Sequence, residues 1–226
     1  MPAGTLSNLN PQEILLYLGW KGGLPDPDLQ SAILQGAETI RKTAQPLVVW
    51  RRFPLEGTHL VGTNLTLEGR DIARHLDRCP EAILMAATLG PQVEHLLMRA
   101  QVRDMAQALI LDSAASTGIE NVCNHLEAEL RRGVETEGLF LTDRFSPGYG
   151  DLPIGQQGLF CDVLDTQRRI GLAVSASGIL IPRKSVTAVM GVSPVPRKRR
   201  SSGCANCNLF YTCQIRKDGR SCQSAS

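Results

Sequence analysis

Between Asp104 and Arg132, apolar residues recur every three or four positions: Leu111, Ala115, Ile119, Val122, Leu126 and Leu130. That period predicts a helix with one buried stripe. At about 1.5 Å per residue it spans roughly 40 Å, enough to cross a whole domain. Ala114, Ala115, Ser116 and Gly118 thin its middle, so a strand or a ligand has room to approach closely. The rest of the chain has to be arranged across this element.

The segments on either side read as mixed blocks of helix and strand. Asn10-Pro11-Gln12-Glu13 predicts a helix start, with Asn as cap, Pro in the first turn and Glu three residues on. Asp26-Pro27 opens a second helix through Leu29, Ile33, Ala37 and Ile40, stopped before Pro46. Leu47 to Phe53 and His59 to Leu67 read as strands, Glu68 to Arg78 as a short helix, and Ala82 to Leu89 as a buried strand turning at Gly90-Pro91. Pro91 to Arg103 is helical. Beyond the long helix, Gly155 to Ile170 reads as one amphipathic helix, and Gly171 to Ser175 and Lys184 to Gly191 as strands. Without regular β-α-β alternation, the pattern predicts an α+β fold with antiparallel pairing.

With 226 residues, 42% hydrophobic and 20% charged, the chain suits one sizeable soluble core. Its 24 basic and 22 acidic residues give no field that would mark a nucleic-acid binder. No apolar run reaches bilayer-spanning length, and Met1 to Asn10 lacks the regions of a signal peptide. The expectation is a cytoplasmic protein with reduced thiols, partnered by neither membrane nor nucleic acid.

The stretch from Arg144 to Pro153, RFSPGYGDLP, stands out chemically. Pro147-Gly148 bends the chain, because Pro presets φ and Gly enters positive φ without steric cost. Arg144 offers a planar cation suited to a carboxylate, and Tyr149 an aromatic face. An ordinary strand-to-helix turn, with a solvated Arg and a packed Tyr, is the plainer alternative. No G-x-G-x-x-G opens a helix after a strand, so any nucleoside site here is not the Rossmann one. No Ser-His-Asp or Cys-His constellation is legible.

The whole of RFSPGYGDLP, spaced R-x-x-x-G-Y-x-x-x-P, resembles the S-adenosylmethionine-binding segment of the activation domain of cobalamin-dependent methionine synthase. More closely, the chain resembles the stand-alone activation-domain proteins found where that enzyme is split. The resemblance covers roughly residues 10 to 193. It includes AATLG at Ala86 to Gly90, the helix containing Ile119-Glu120, and PRKSVTAVMG at Pro182 to Gly191. It implies one α+β domain over residues 1–193, with long helices on a twisted antiparallel sheet. It further implies a site built from Glu120, Arg144, Gly148, Tyr149 and Pro153. There Arg144 would hold the methionyl carboxylate of S-adenosylmethionine and Glu120 its ammonium. Gly148 would give backbone access, Tyr149 would lie against the ligand, and Pro153 would fix the turn.

The partners implied are a separate methionine synthase chain carrying cobalamin and an electron-donor protein. The task implied is reactivation of a methyltransferase, by reductive methylation of cob(II)alamin. Positioning is most of that task, which suits a chain without acid–base machinery. The alternatives are activation of another corrinoid methyltransferase and a non-catalytic docking module with a metal-bearing tail. One departure is Lys184 to Met190, KSVTAVM, where the fused enzyme's domain has aromatic residues.

Two features remain. Gly57-Thr58-His59-Leu60-Val61-Gly62 half-resembles D-x-H-x-x-G, but Gly57 replaces the carboxylate that would orient the imidazole, so His59 is rejected as a cobalt ligand. After a basic, Pro-rich linker at 194–203, the tail 204–226 carries Cys204, Cys207, Cys213 and Cys222. Four close-spaced thiols suit zinc or an iron–sulfur cluster, against the alternatives of free thiols or a disulfide. Cys79, Cys123 and Cys161 read as core or surface thiols.

Overall fold

In this computed structural model the described residues are 6, 9–20 and 23–196. The linker's basic run from Arg197 and all four tail cysteines lie outside them. The chain starts with two capped helices, α1 (Pro11–Tyr17) and α2 (Pro27–Thr43). Asn10 Oδ1 accepts from the Gln12 amide at 3.0 Å and Asp26 Oδ1 from Leu29 at 2.8 Å. Both caps satisfy amides that a helix start leaves unpaired.

Next come β1 (Leu47–Glu56), β2 (His59–Leu60), α3 (Arg70–His75), β3 (Glu81–Thr88) and α4 (Pro91–Arg103). The long helix α5 (Met105–Thr136) follows, capped by Asp104, whose carboxylate accepts from Ala106 and Gln107. It runs 32 residues. After β4 (Phe140–Leu141) and the turn come a single 3-10 turn (Ile154–Gln156), α6 (Gln157–Leu164) and α7 (Thr166–Ile170). A two-stranded ribbon, β5 (Ala173–Val174) with β6 (Leu180–Ile181), leads into β7 (Ser185–Ser193).

The main sheet has the order β2-β1-β3-β7-β4 and every pairing is antiparallel. Strand β3 lies centrally, buried on both faces, which explains its unbroken apolar run. Its Ile83, Met85 and Ala87 join α1, α2, α4 and α5 in one core. Its Ala82, Leu84 and Ala86 join Ile72, Phe145, Leu152, Phe160 and Leu164 in the other. The α+β class with an antiparallel sheet is therefore the observed one.

Several elements differ from the sequence expectation. His59 to Leu67 is not one strand: only His59–Leu60 pairs with β1, and Thr66 returns as an isolated bridge to His59. The helix expected over Glu68 to Arg78 is confined to Arg70–His75, since Gly69 has φ +132° and Arg78 φ +58°. Gly155 to Ile170 is broken at Asp165, which takes a left-handed conformation at φ +51°. There Thr166 turns inward and donates to the Leu172 carbonyl at 2.7 Å. One amphipathic period is shared by both halves, so it hides the break. Gly171 to Ser175 forms a strand only at Ala173–Val174, in the ribbon and outside the main sheet.

Candidate functional site

On α5, Glu120, Asn124, Glu127 and Arg131 are spaced four, three and four residues apart, so they line one face. The chain leaving β4 delivers Arg144 onto that face. Phe145 exchanges backbone hydrogen bonds with Val189 on β7, at 2.9 and 2.8 Å, which fixes where Arg144 emerges. Arg144 Nε donates to Glu127 Oε2 at 3.0 Å, and Nη2 to Glu120 Oε2 at 3.2 Å and to Asn124 Oδ1 at 2.6 Å. Glu127 is shared, since its other oxygen accepts from Arg131 at 2.8 Å. Arg131 in turn donates to the carbonyls of Leu141 and Thr142 at 2.5 and 3.4 Å, tying β4 to the helix.

The environment of this network is graded. The side chains of Arg144 and Glu127 are 19% and 16% exposed, against 38% for Glu120. The inner pair is therefore shielded enough to matter, while Glu120 is the member open to exchange partners. Beneath lies Cys123, fully buried. Burial pushes its thiol up to about 12, so at neutral pH it is an uncharged packing group. Burial, and then the neighbouring Glu120 carboxylate, raise the Glu13 carboxyl of α1 above its ordinary value. The Glu13 carboxyl thus feels the charge of Glu120, which itself pairs with Arg144.

The turn from Ser146 to Pro153 closes on itself. Tyr149 donates its amide to Ser146 at 3.0 Å, Leu152 to Tyr149 at 3.0 Å, and Gly148 to Leu152 at 2.9 Å. Gly148 sits at φ +90°, which an L side chain rarely adopts. Leu152 anchors the loop in the core, whereas Tyr149 is 59% exposed, its ring edge-on to Phe145 at 6.5 Å. Pro153 caps the 3-10 turn with φ −64°. Ile154 follows half exposed, its Cδ1 3.4 Å from the position of a Cβ on Gly148.

The structure thus brings Arg144 and Glu120 into contact and places Gly148, Tyr149 and Pro153 in the adjoining turn. Sequence reading missed Glu13, Asn124 and Glu127. It also missed a second cluster farther along α5, where Lys184 Nζ meets Asp112 Oδ1 at 2.9 Å and Ser116 Oγ at 2.8 Å. The signal available was the polar series 112, 116, 120, 124 on the helix face. Between Lys184 and the Phe145–Val189 bridge, β7 has no strand neighbour on its outer side among the described residues. Thr187 lies in this stretch with a buried hydroxyl that lacks a partner among the described residues.

Cys79, Cys123 and Cys161 are buried and form no disulfide among the described residues. No cluster of three His, Cys, Asp or Glu able to hold a metal occurs among the described residues. No described helix is long and apolar enough to cross a membrane.

These features define an α+β domain that sets a charged helix face against a glycine turn at a sheet edge. The architecture is similar to a solved structure described as the MetH reactivation domain bound to AdoHcy, with a TM-score of 0.62 and 14% identity, covering 100% of this chain and 86% of that one. The chain has the fold of that reactivation domain. No protein-family model matches it, and no curated protein matches it in sequence.

Proposed function

We propose that this chain binds S-adenosylmethionine and presents its methyl group to cob(II)alamin carried by a separate methionine synthase chain. In this reading Arg144 takes the methionyl carboxylate through Nη1 and Nη2, the latter released from Asn124. Glu120, freed from Arg144, accepts the ammonium together with Glu13. The fit is electrostatic. Burial and then the Glu120 carboxylate raise the Glu13 carboxyl, and a cation bound beside Glu13 offsets both. The Gly148 turn brings backbone close to the ligand, Tyr149 lies against it, and Pro153 holds the turn's exit.

When an electron-donor protein supplies one electron, cob(II)alamin becomes cob(I)alamin, whose lone pair takes the methyl carbon as the carbon–sulfur bond breaks, leaving methylcobalamin and S-adenosylhomocysteine. The role of this chain is to bind and orient the donor. It has no need of a general acid or base, because the sulfonium leaves as a neutral thioether. The observation that carries the reading is the junction of Arg144 and Glu120 beside the Gly148 turn. The AdoHcy ligand of the similar structure supports the ligand class.

The experiment starts from methionine synthase inactivated to cob(II)alamin and supplied with reductant and S-adenosylmethionine. The corrin spectrum should return to methylcobalamin only when this chain is added, and not when the added chain carries Arg144→Ala. Equal recovery without the chain contradicts the reading.

A further inference from the structure

The helix α3 touches the Gly148 turn at one end and the segment leading into it at the other. At the start, Asp151 accepts from the Arg70 amide at 2.7 Å and from the Asp71 amide at 2.9 Å. A carboxylate from eighty residues along the chain therefore does what an N-cap residue usually does, since Gly69 has no side chain to cap with. The two segments are packed too closely to admit a side chain at either glycine. A Cβ on Gly69 would fall 2.9 Å from Asp151 Cγ, and one on Gly150 2.5 Å from Asp71 Oδ2. At the other end, His75 Nε2 donates to the Asp143 carbonyl at 2.8 Å and lies 2.9 Å from Thr142 Oγ1. Its ring packs on Phe145 at 5.2 Å. Residues Asp143 and Asp151 bracket Arg144, Gly148 and Tyr149.

We propose that α3 is a brace for the ligand turn and that Asp151 is a positioning residue for S-adenosylmethionine binding. This rests on the proposed function above. Asp151 touches no ligand in this account. It holds Gly148 and Tyr149 at a fixed distance from Arg144, so that the methionyl group and the nucleoside meet their partners together. Hydrogen bonds from the Asp71 and Arg70 amides keep its carboxyl below the ordinary value, so it remains ionised at neutral pH. Asp151 is exposed, as is Gly150 beside it, and neither contributes to the core. Loss of the contact should therefore loosen the turn without unfolding the domain.

The test compares full-length wild type, Asp151→Ala, Asp151→Asn and Gly69→Ala by S-adenosylmethionine calorimetry, thermal melting and amide hydrogen exchange across 148–152. Asp151→Ala should weaken binding about tenfold and speed exchange at Gly148, Tyr149 and Leu152, with melting within about 2 °C of wild type. Asp151→Asn keeps one acceptor and should lose less, about threefold. Gly69→Ala pushes the carboxylate away from the other side and should reproduce Asp151→Ala. Unchanged affinity and unchanged exchange in Asp151→Ala overturn the brace. So does a large fall in melting temperature with all of these losses, which makes the residue merely structural. If the wild type binds no S-adenosylmethionine, the proposed function fails, and exchange across the turn alone decides whether α3 braces it.

Discussion

The two faces of the sheet are built differently. On one, α1, α2, α4 and α5 bury a continuous set of aliphatic residues, from Leu15 and Ile40 to Leu130 and Val134. On the other, short pieces cover the sheet. There α3, α6, α7 and the turn around Gly148 fill the core with a few residues each and are joined by polar contacts such as Asp151 to the α3 amides and Gln156 to the Thr66 carbonyl. The first face is held by non-directional burial, which tolerates adjustment but loses much when volume is removed. The second is held by directional bonds at loop ends, which set geometry more than stability. The Gly148 turn belongs to the second face, while Glu120 and Glu127 meet Arg144 from the first. The proposed site sits where the long helix meets a turn whose geometry is set by hydrogen bonds.

The largest effect should come from the helical face. Ile40 is fully buried against α5, and Ile40→Ala should cost about 2–5 kcal/mol in denaturant unfolding while the folded fraction keeps its ligand affinity. A loss of affinity equal to the loss of stability would erase the division between the faces. Glu120→Ala should do the reverse. Calorimetry should show affinity falling by about 2 kcal/mol, with unfolding changed by less than about 1 kcal/mol, because Glu120 is the exposed member of its network.

A smaller effect should appear with pH. The folded pKa of Glu13 is raised above 4.5, so its protonated form favours the fold at pH below 4.5 and that contribution fades as pH rises through the folded pKa. Cation binding needs the opposite form. Affinity for S-adenosylmethionine should therefore drop on acidification through the raised Glu13 pKa, and Glu13→Gln should flatten that drop. A pH profile identical in both proteins would remove Glu13 from the site. Tyr149→Ala should be mildest, leaving melting unchanged and weakening binding by about 1 kcal/mol, since the ring is mostly exposed and gives up contact area only when ligand is present.

The helical face was also the more legible in sequence. Asn10, Asp26 and Asp104 begin helices where their side chains reach amides two or three residues on, and α4 occupies Pro91–Arg103 as its Pro and periodicity predict. Those are local rules. Strand β2 shrank to two residues because pairing depends on a partner, which residues 61–67 lack for most of their length. The bend at Pro147-Gly148 could be read because turn chemistry is local, whereas a ligand role for Arg144 to Pro153 came from the resemblance alone. The contacts that give the segment its electrostatic character join residues apart in sequence: Arg144 to Glu120 and Glu127, and Asp151 to the Arg70 amide. Only the fold shows which of the many charged residues meet.

The central claim is that Arg144, held between Glu120 and Glu127 beside the Gly148 turn, is the anchor for S-adenosylmethionine. Its most direct test is titration calorimetry of S-adenosylmethionine into wild type, Arg144→Lys and Arg144→Ala, each first shown to be folded. Wild type should bind. Arg144→Ala should lose about 2–3 kcal/mol, tens- to hundredfold in affinity, and Arg144→Lys should recover only part of that because an ammonium cannot pair in bidentate fashion. Equal affinity in all three proteins would contradict the account.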